Sequence, residues 1–99
     1  IADDQSFTWV AELDAKIIGL VKIKRGNHVS LLFVRQSYWK NGIGKKLFDA
    51  AIKEIVSRDI QKTFITVNSS NFALKFYQRM GFFATAEQGF QTPMKLTLK

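Results

Sequence analysis

The chain has 99 residues, 46% of them hydrophobic and 23% charged, with one proline and a formal net charge of +7. That length leaves room for a single domain over 1–99, and the balance of apolar to charged residues excludes a disordered chain. The absence of cysteine excludes disulfides, thiolate metal centres and a cysteine nucleophile, and no apolar run approaches the roughly 18 residues of a membrane span.

With no signal peptide at its start, the chain reads as a cytoplasmic domain without a membrane association. Its positive charge fits solubility, nucleic acid, or a small phosphorylated ligand. The distribution narrows this. Lys22, Lys24 and Arg25 fall on one expected strand, Lys40, Lys45 and Lys46 on one loop, and Lys75 and Arg79 on one expected helix. None forms the block of like charges expected of a nucleic-acid arm, so nucleic acid is not the favoured partner.

In chain order, residues 7–13 (FTWVAEL) are rich in β-formers, and the Asp14-Ala15-Lys16 turn leads into 17–25 (IIGLVKIKR). There Val21 and Ile23 alternate with Lys22 and Lys24, which predicts a hairpin with one wet face. After a turn at Gly26-Asn27, residues 28–34 (HVSLLFV) are nearly continuous in apolar side chains, the pattern of a strand covered on both faces. The period then changes. Leu47, Phe48, Ala51, Ile52 and Ile55 recur at three- and four-residue spacing, the buried stripe of a helix ending near Ser57. A strand is predicted at 62–67. Residues 68–71 (NSSN) supply N-cap candidates for a second helix, which carries Ala73, Leu74, Phe76 and Tyr77 and stops before Gly81. Residues 82–86 and 94–98 read as closing strands. The order is β-β-β-α-β-α-β-β, an α/β mixed sheet with helices packed on it. The strand reached through the first helix should run parallel to the strand at 28–34.

A buried strand, a basic loop and Gly42-Ile43-Gly44 at a helix start make a phosphate-binding arrangement. The first turn of a helix leaves N–H groups without partners, and its dipole adds positive character. Glycines let an anion approach the backbone closely, and Lys40, Lys45 and Lys46 surround it with charge. A Walker loop is excluded, because the spacing of its glycines and the following Lys-Ser/Thr are absent. A dinucleotide fingerprint is excluded too, since Leu47 stands where it needs a third glycine.

Residues 34–47 (VRQSYWKNGIGKKL) resemble the segment of the GNAT acetyltransferases in which a strand ending in valine leads into Gln/Arg-x-x-Gly-x-Gly/Ala. Residues 73–82 (ALKFYQRMGF) are similar to the family's second signature, Ala-x-x-x-Tyr-x-x-x-Gly-Phe. The resemblance covers essentially the whole chain and implies a GNAT-like sheet that binds acetyl-coenzyme A as co-substrate, with no metal. It departs from the family in three places. Trp39 replaces the usual glutamine or arginine, and Ser70 stands where many members have asparagine, with Asn71 beside it. A strand and helices usually precede the hairpin in the family, and the resemblance here starts at the hairpin.

Carried over residue by residue, the resemblance implies that the Phe33 and Val34 backbones align the pantetheine arm. Lys40, Asn41, Gly42, Ile43, Gly44 and Lys45 hold the pyrophosphate, and Ser70, Asn71 and Tyr77 complete the coenzyme site. Tyr77 would supply a proton to the departing thiolate. His28, the only histidine, would take the amine's proton directly or through water, with Glu12 as a second candidate base. The acceptor would be a small-molecule or peptide amine, and an incomplete sheet edge would invite pairing of two copies. Two rival readings stand beside this one. One is a GNAT fold that binds coenzyme A without catalysis. The other is a basic domain gripping RNA or single-stranded DNA with Phe7, Trp9 and Phe33.

Overall fold

A computed structural model describes residues 5–98 of the chain. Its strands are β1 (Phe7–Leu13), β2 (Lys16–Lys24), β3 (His28–Val34), β4 (Phe64–Ser70), β5 (Phe83–Ala84) and β6 (Gln91–Thr97). Two helices, α1 (Ile43–Arg58) and α2 (Leu74–Arg79), follow β3 and β4. They form one six-stranded sheet in the order β1-β2-β3-β4-β6-β5. All neighbours are antiparallel except β3 and β4, as the helical crossover between them requires. No described helix is long and apolar enough to cross a membrane.

The registers show why one face is dry. Ile23, Val29, Val67 and Met94 are successive partners across β2, β3, β4 and β6, and all are buried. Leu47, Phe48, Ala51 and Ile55 of α1 close over that row, joined by Tyr77 of α2 and by Phe82. Both helices thus lie on the same side. The neighbouring row, Lys24, His28, Thr66 and Lys95, points the other way and is open.

Three local expectations are corrected. β3 is covered on one face only, with Leu31 and Phe33 exposed, because no described helix packs on the second face. β4 runs on to Ser70, since its antiparallel partner continues to Gln91 and keeps the ladder bonded. Residues 68–70 are therefore strand, and α2 is only six residues long. The Ser70 hydroxyl still accepts the Ala73 N–H at 3.2 Å, holding the turn that starts the helix.

Candidate functional site

β3 and β4 share only two partner pairs, His28 with Thr66 and Val29 with Val67. Beyond them β3 stays with β2 and β4 stays with β6, so the two parallel strands part. The β2–β3 register shifts at the same level, between Lys22 and Ile23, leaving Ser30 as an extra residue. A bulge of this kind bends a strand away from its neighbour. The opening is a slot of about 180 Å³ whose walls include Leu31, Leu32, Asn68, Ser70, Tyr77 and Gln91.

The Arg35 N–H donates to the Ile18 carbonyl at 2.8 Å, which sets the alternation of the strand before it. Phe33 turns its N–H and C=O to β2, while Leu32 and Val34 turn theirs away from it, to the side on which the slot opens. Of the two backbones expected to align a ligand, Val34 faces that side and Phe33 does not. Leu32 lines the slot instead. Nothing in the residue pattern marked the bulge, so the sequence offered no way to choose between the two.

At the slot's end the chain makes a 3-10 turn over Gln36–Tyr38 and then enters α1. Lys40 (φ 73°) and Gly42 (φ 76°) both adopt left-handed conformations. The Lys46 N–H donates to the Gly42 carbonyl at 3.0 Å, closing the first helical turn. The N–H groups of Gly42, Ile43, Gly44 and Lys45 lie ahead of that turn, where a helix leaves its donors free. A Cβ on Gly42 would meet nothing within 4 Å, so the loop is unobstructed at that residue. No acidic residue stands in the first turn. The residues present therefore fit a phosphate or pyrophosphate group. Lys45 is engaged, its Nζ 2.9 Å from Asp49 Oδ2, with both side chains largely exposed. Gly44 serves packing as well: a Cβ there would press on the Phe76 ring at 3.3 Å.

Tyr77 borders the slot from the helix side. It is only 5% exposed, and Phe76 and Phe82 meet its ring edge-on, each at 5.3 Å. Burial pushes its pKa up to about 12. Tyr77 therefore stays a neutral donor well beyond neutral pH. His28 stands at the closed end of the slot, on the open face, with Nδ1 2.8 Å from Thr66 Oγ1. Its pKa is lowered, first by burial and then by the charges of Arg25 and Lys24. Tyr77 and His28 lie on opposite faces of the sheet. Ser70 borders the slot, whereas the Asn71 side-chain Oδ1 accepts from Gln88 Nε2 at 3.1 Å. Glu12 is exposed on β1, separated from the slot by β2 and β3. Among the described residues no group of His, Asp and Glu gathers as a metal site.

The family model for the acetyltransferase (GNAT) domain matches residues 1–98. The chain belongs to the GNAT family. Among curated proteins it is 33% identical to the peptidyl-lysine N-acetyltransferase YiaC of Escherichia coli (strain K12), over 75% of this chain and 48% of that protein. Among solved structures, a GCN5-related N-acetyltransferase from Rhodopseudomonas palustris superposes with a TM-score of 0.85 at 26% identity. The match covers 94% of this chain and 62% of that one. PaiA N-acetyltransferase from Thermoplasma acidophilum, solved with coenzyme A, gives a TM-score of 0.83 at 20% identity over 93% of this chain and 60% of that one. This GNAT chain therefore spans about half to three-fifths of the length of these relatives. The slot, the left-handed glycine and the buried tyrosine all fall within the matched residues.

Proposed function

We propose that this chain carries the acetyl-coenzyme A site of an N-acetyltransferase that moves an acetyl group to a primary amine by direct attack in a ternary complex. The observation that carries the reading is the slot between β3 and β4, taken with the α1 N-terminus that follows β3, where the N–H groups of Gly42 to Lys45 precede the first helical hydrogen bond. A long, thin ligand with an anionic centre fits that combination. Leu32 and Val34 offer backbone groups along one wall, as an added strand would use them. The α1 N-terminus holds the pyrophosphate, and Lys40 adds charge beside it.

The coenzyme supplies an activated acetyl thioester. Tyr77 donates a hydrogen bond, and then its proton, to the thiolate that departs. His28, neutral at neutral pH, accepts the amine's proton through water, because it stands outside the slot rather than lining it. The acceptor is a small-molecule or peptide amine, and the setting is the cytoplasm.

The test is thermal unfolding with and without acetyl-coenzyme A. A ligand that binds only the folded state stabilises it by about 2.7 kcal/mol at 100 times its Kd, which raises Tm by several degrees. Gly42→Asp sets a carboxylate in front of the helix donors and should abolish the rise. A wild-type chain whose Tm ignores millimolar acetyl-coenzyme A would refute the reading.

A further inference from the structure

Because β3 and β4 are parallel, the loop after one and the turn after the other leave the same edge of the sheet. They form the two lips of the slot. Trp39, on the first lip, donates its indole N–H to the Val34 carbonyl at 2.8 Å. That carbonyl points away from β2, to the side on which the slot opens, so the half-exposed indole stands at the slot's end of the sheet. Phe72, on the second lip, places its ring 5.3 Å from the Trp39 ring at a 44° tilt. Phe72 is 79% exposed and Trp39 44% exposed. Burial in the core therefore explains neither position. The two rings bridge strands whose backbones have already parted.

We infer that Trp39 and Phe72 form an aromatic clasp across the slot's mouth, which coenzyme A must part to enter and which closes over it once bound. This rests on the coenzyme reading above. A ligand reaching from the slot to the donors of Gly42 to Lys45 leaves the sheet at the edge where both rings stand. The Trp39 N–H also holds the Val34 carbonyl, one of the acceptors that the ligand's own amide would seek. Entry therefore exchanges an internal hydrogen bond and a ring contact for contacts with the ligand. A clasp slows entry and exit together, whereas a static ring contact to the bound ligand slows exit alone.

Trp9 and Trp39 are the chain's two tryptophans, so Trp9→Phe leaves the clasp as the sole indole emitter. In that background coenzyme A should change Trp39 emission in step with binding measured by calorimetry. Surface plasmon resonance with coenzyme A should show both rates rising in Trp39→Phe, which loses the N–H, and in Phe72→Ala, which loses the ring contact. The expected rise is roughly 2- to 10-fold, the range that one aromatic contact or hydrogen bond allows. Calorimetric binding without an emission change would overturn the clasp and leave the coenzyme reading intact. So would faster dissociation with unchanged association. Binding seen only in the two variants would support the clasp. No binding in any of the three would overturn both.

Discussion

Tyr77 is a phenol that the fold keeps protonated. Its pKa of about 12, raised by burial, means that the folded chain holds a proton which the unfolded chain releases above about 10. Stability is thus unaffected by this group below pH 10 and falls as the pH climbs from there to about 12. Tyr77→Phe should flatten that alkaline decline in a pH series of chemical denaturation, and a decline of unchanged depth would assign it to other groups. In catalysis the same variant keeps the ring packing and removes only the donor. Turnover should drop roughly 10- to 1000-fold while acetyl-coenzyme A affinity barely moves. An unimpaired Tyr77→Phe would reduce the residue to a core aromatic. His28 works in the opposite direction. Its lowered pKa makes the unfolded chain protonate first as pH falls below about 6.5, so its stabilising contribution is lost on the acid side. If it takes the amine's proton, the acid limb of kcat/KM lies below that value. His28→Gln should erase the limb without changing coenzyme affinity, and a profile that keeps its limb would remove His28 from the mechanism.

At the scale of elements, the second signature acquires a mechanical reason. The Phe82 N–H donates to the Tyr77 carbonyl and the Gly81 N–H to the Gln78 carbonyl, each at 3.0 Å. Gly81 itself is left-handed at φ 106°. This is a Schellman ending to α2, and the Tyr77–Phe82 ring contact is the apolar clamp that accompanies such endings. The tyrosine is therefore fixed by the glycine four residues on. Gly81→Ala would force an L residue into that conformation and bring a Cβ to 3.0 Å from Leu96 Cδ1. A loss of about 1–3 kcal/mol in denaturant titrations is expected. Turnover should suffer more than coenzyme affinity, because α1 and its loop are untouched. A stability loss with unaltered turnover would separate the motif from the chemistry. These elements also show what the residues made readable. Periodicity revealed α1 through Leu47, Phe48, Ala51 and Ile55, and turn residues marked the hairpin. The parting of β3 from β4 was legible through the family resemblance and not through the residue pattern, since no turn residue announces the one-residue register shift at Ser30 that accompanies it. The run at 28–34 likewise concealed an open face, since composition reports how apolar a strand is and not what covers it.

At the scale of the whole molecule, fifteen basic against eight acidic residues give a field that acts before any contact forms. Lys40, Lys45 and Lys46 sit about the glycine loop, and Lys75 lies on α2. On the open face, Lys24 and Lys95 flank the His28–Thr66 pair. A polyanion such as coenzyme A is drawn into such a field and a polycation is turned away. The association rate of coenzyme A should therefore fall about 10-fold or more between low salt and physiological ionic strength, where screening shortens to about 8 Å. Its dissociation rate, governed by short-range contacts, should change much less. Pantetheine, which lacks the phosphates, serves as the control and should associate at a rate indifferent to salt. For acceptors the sign reverses: added salt should lower KM for a polyamine and leave it unchanged for a neutral amine. Stopped-flow association across a salt series decides the matter. Equal salt slopes for coenzyme A and pantetheine would mean that the net charge serves solubility alone, leaving capture to the slot and the helix N-terminus.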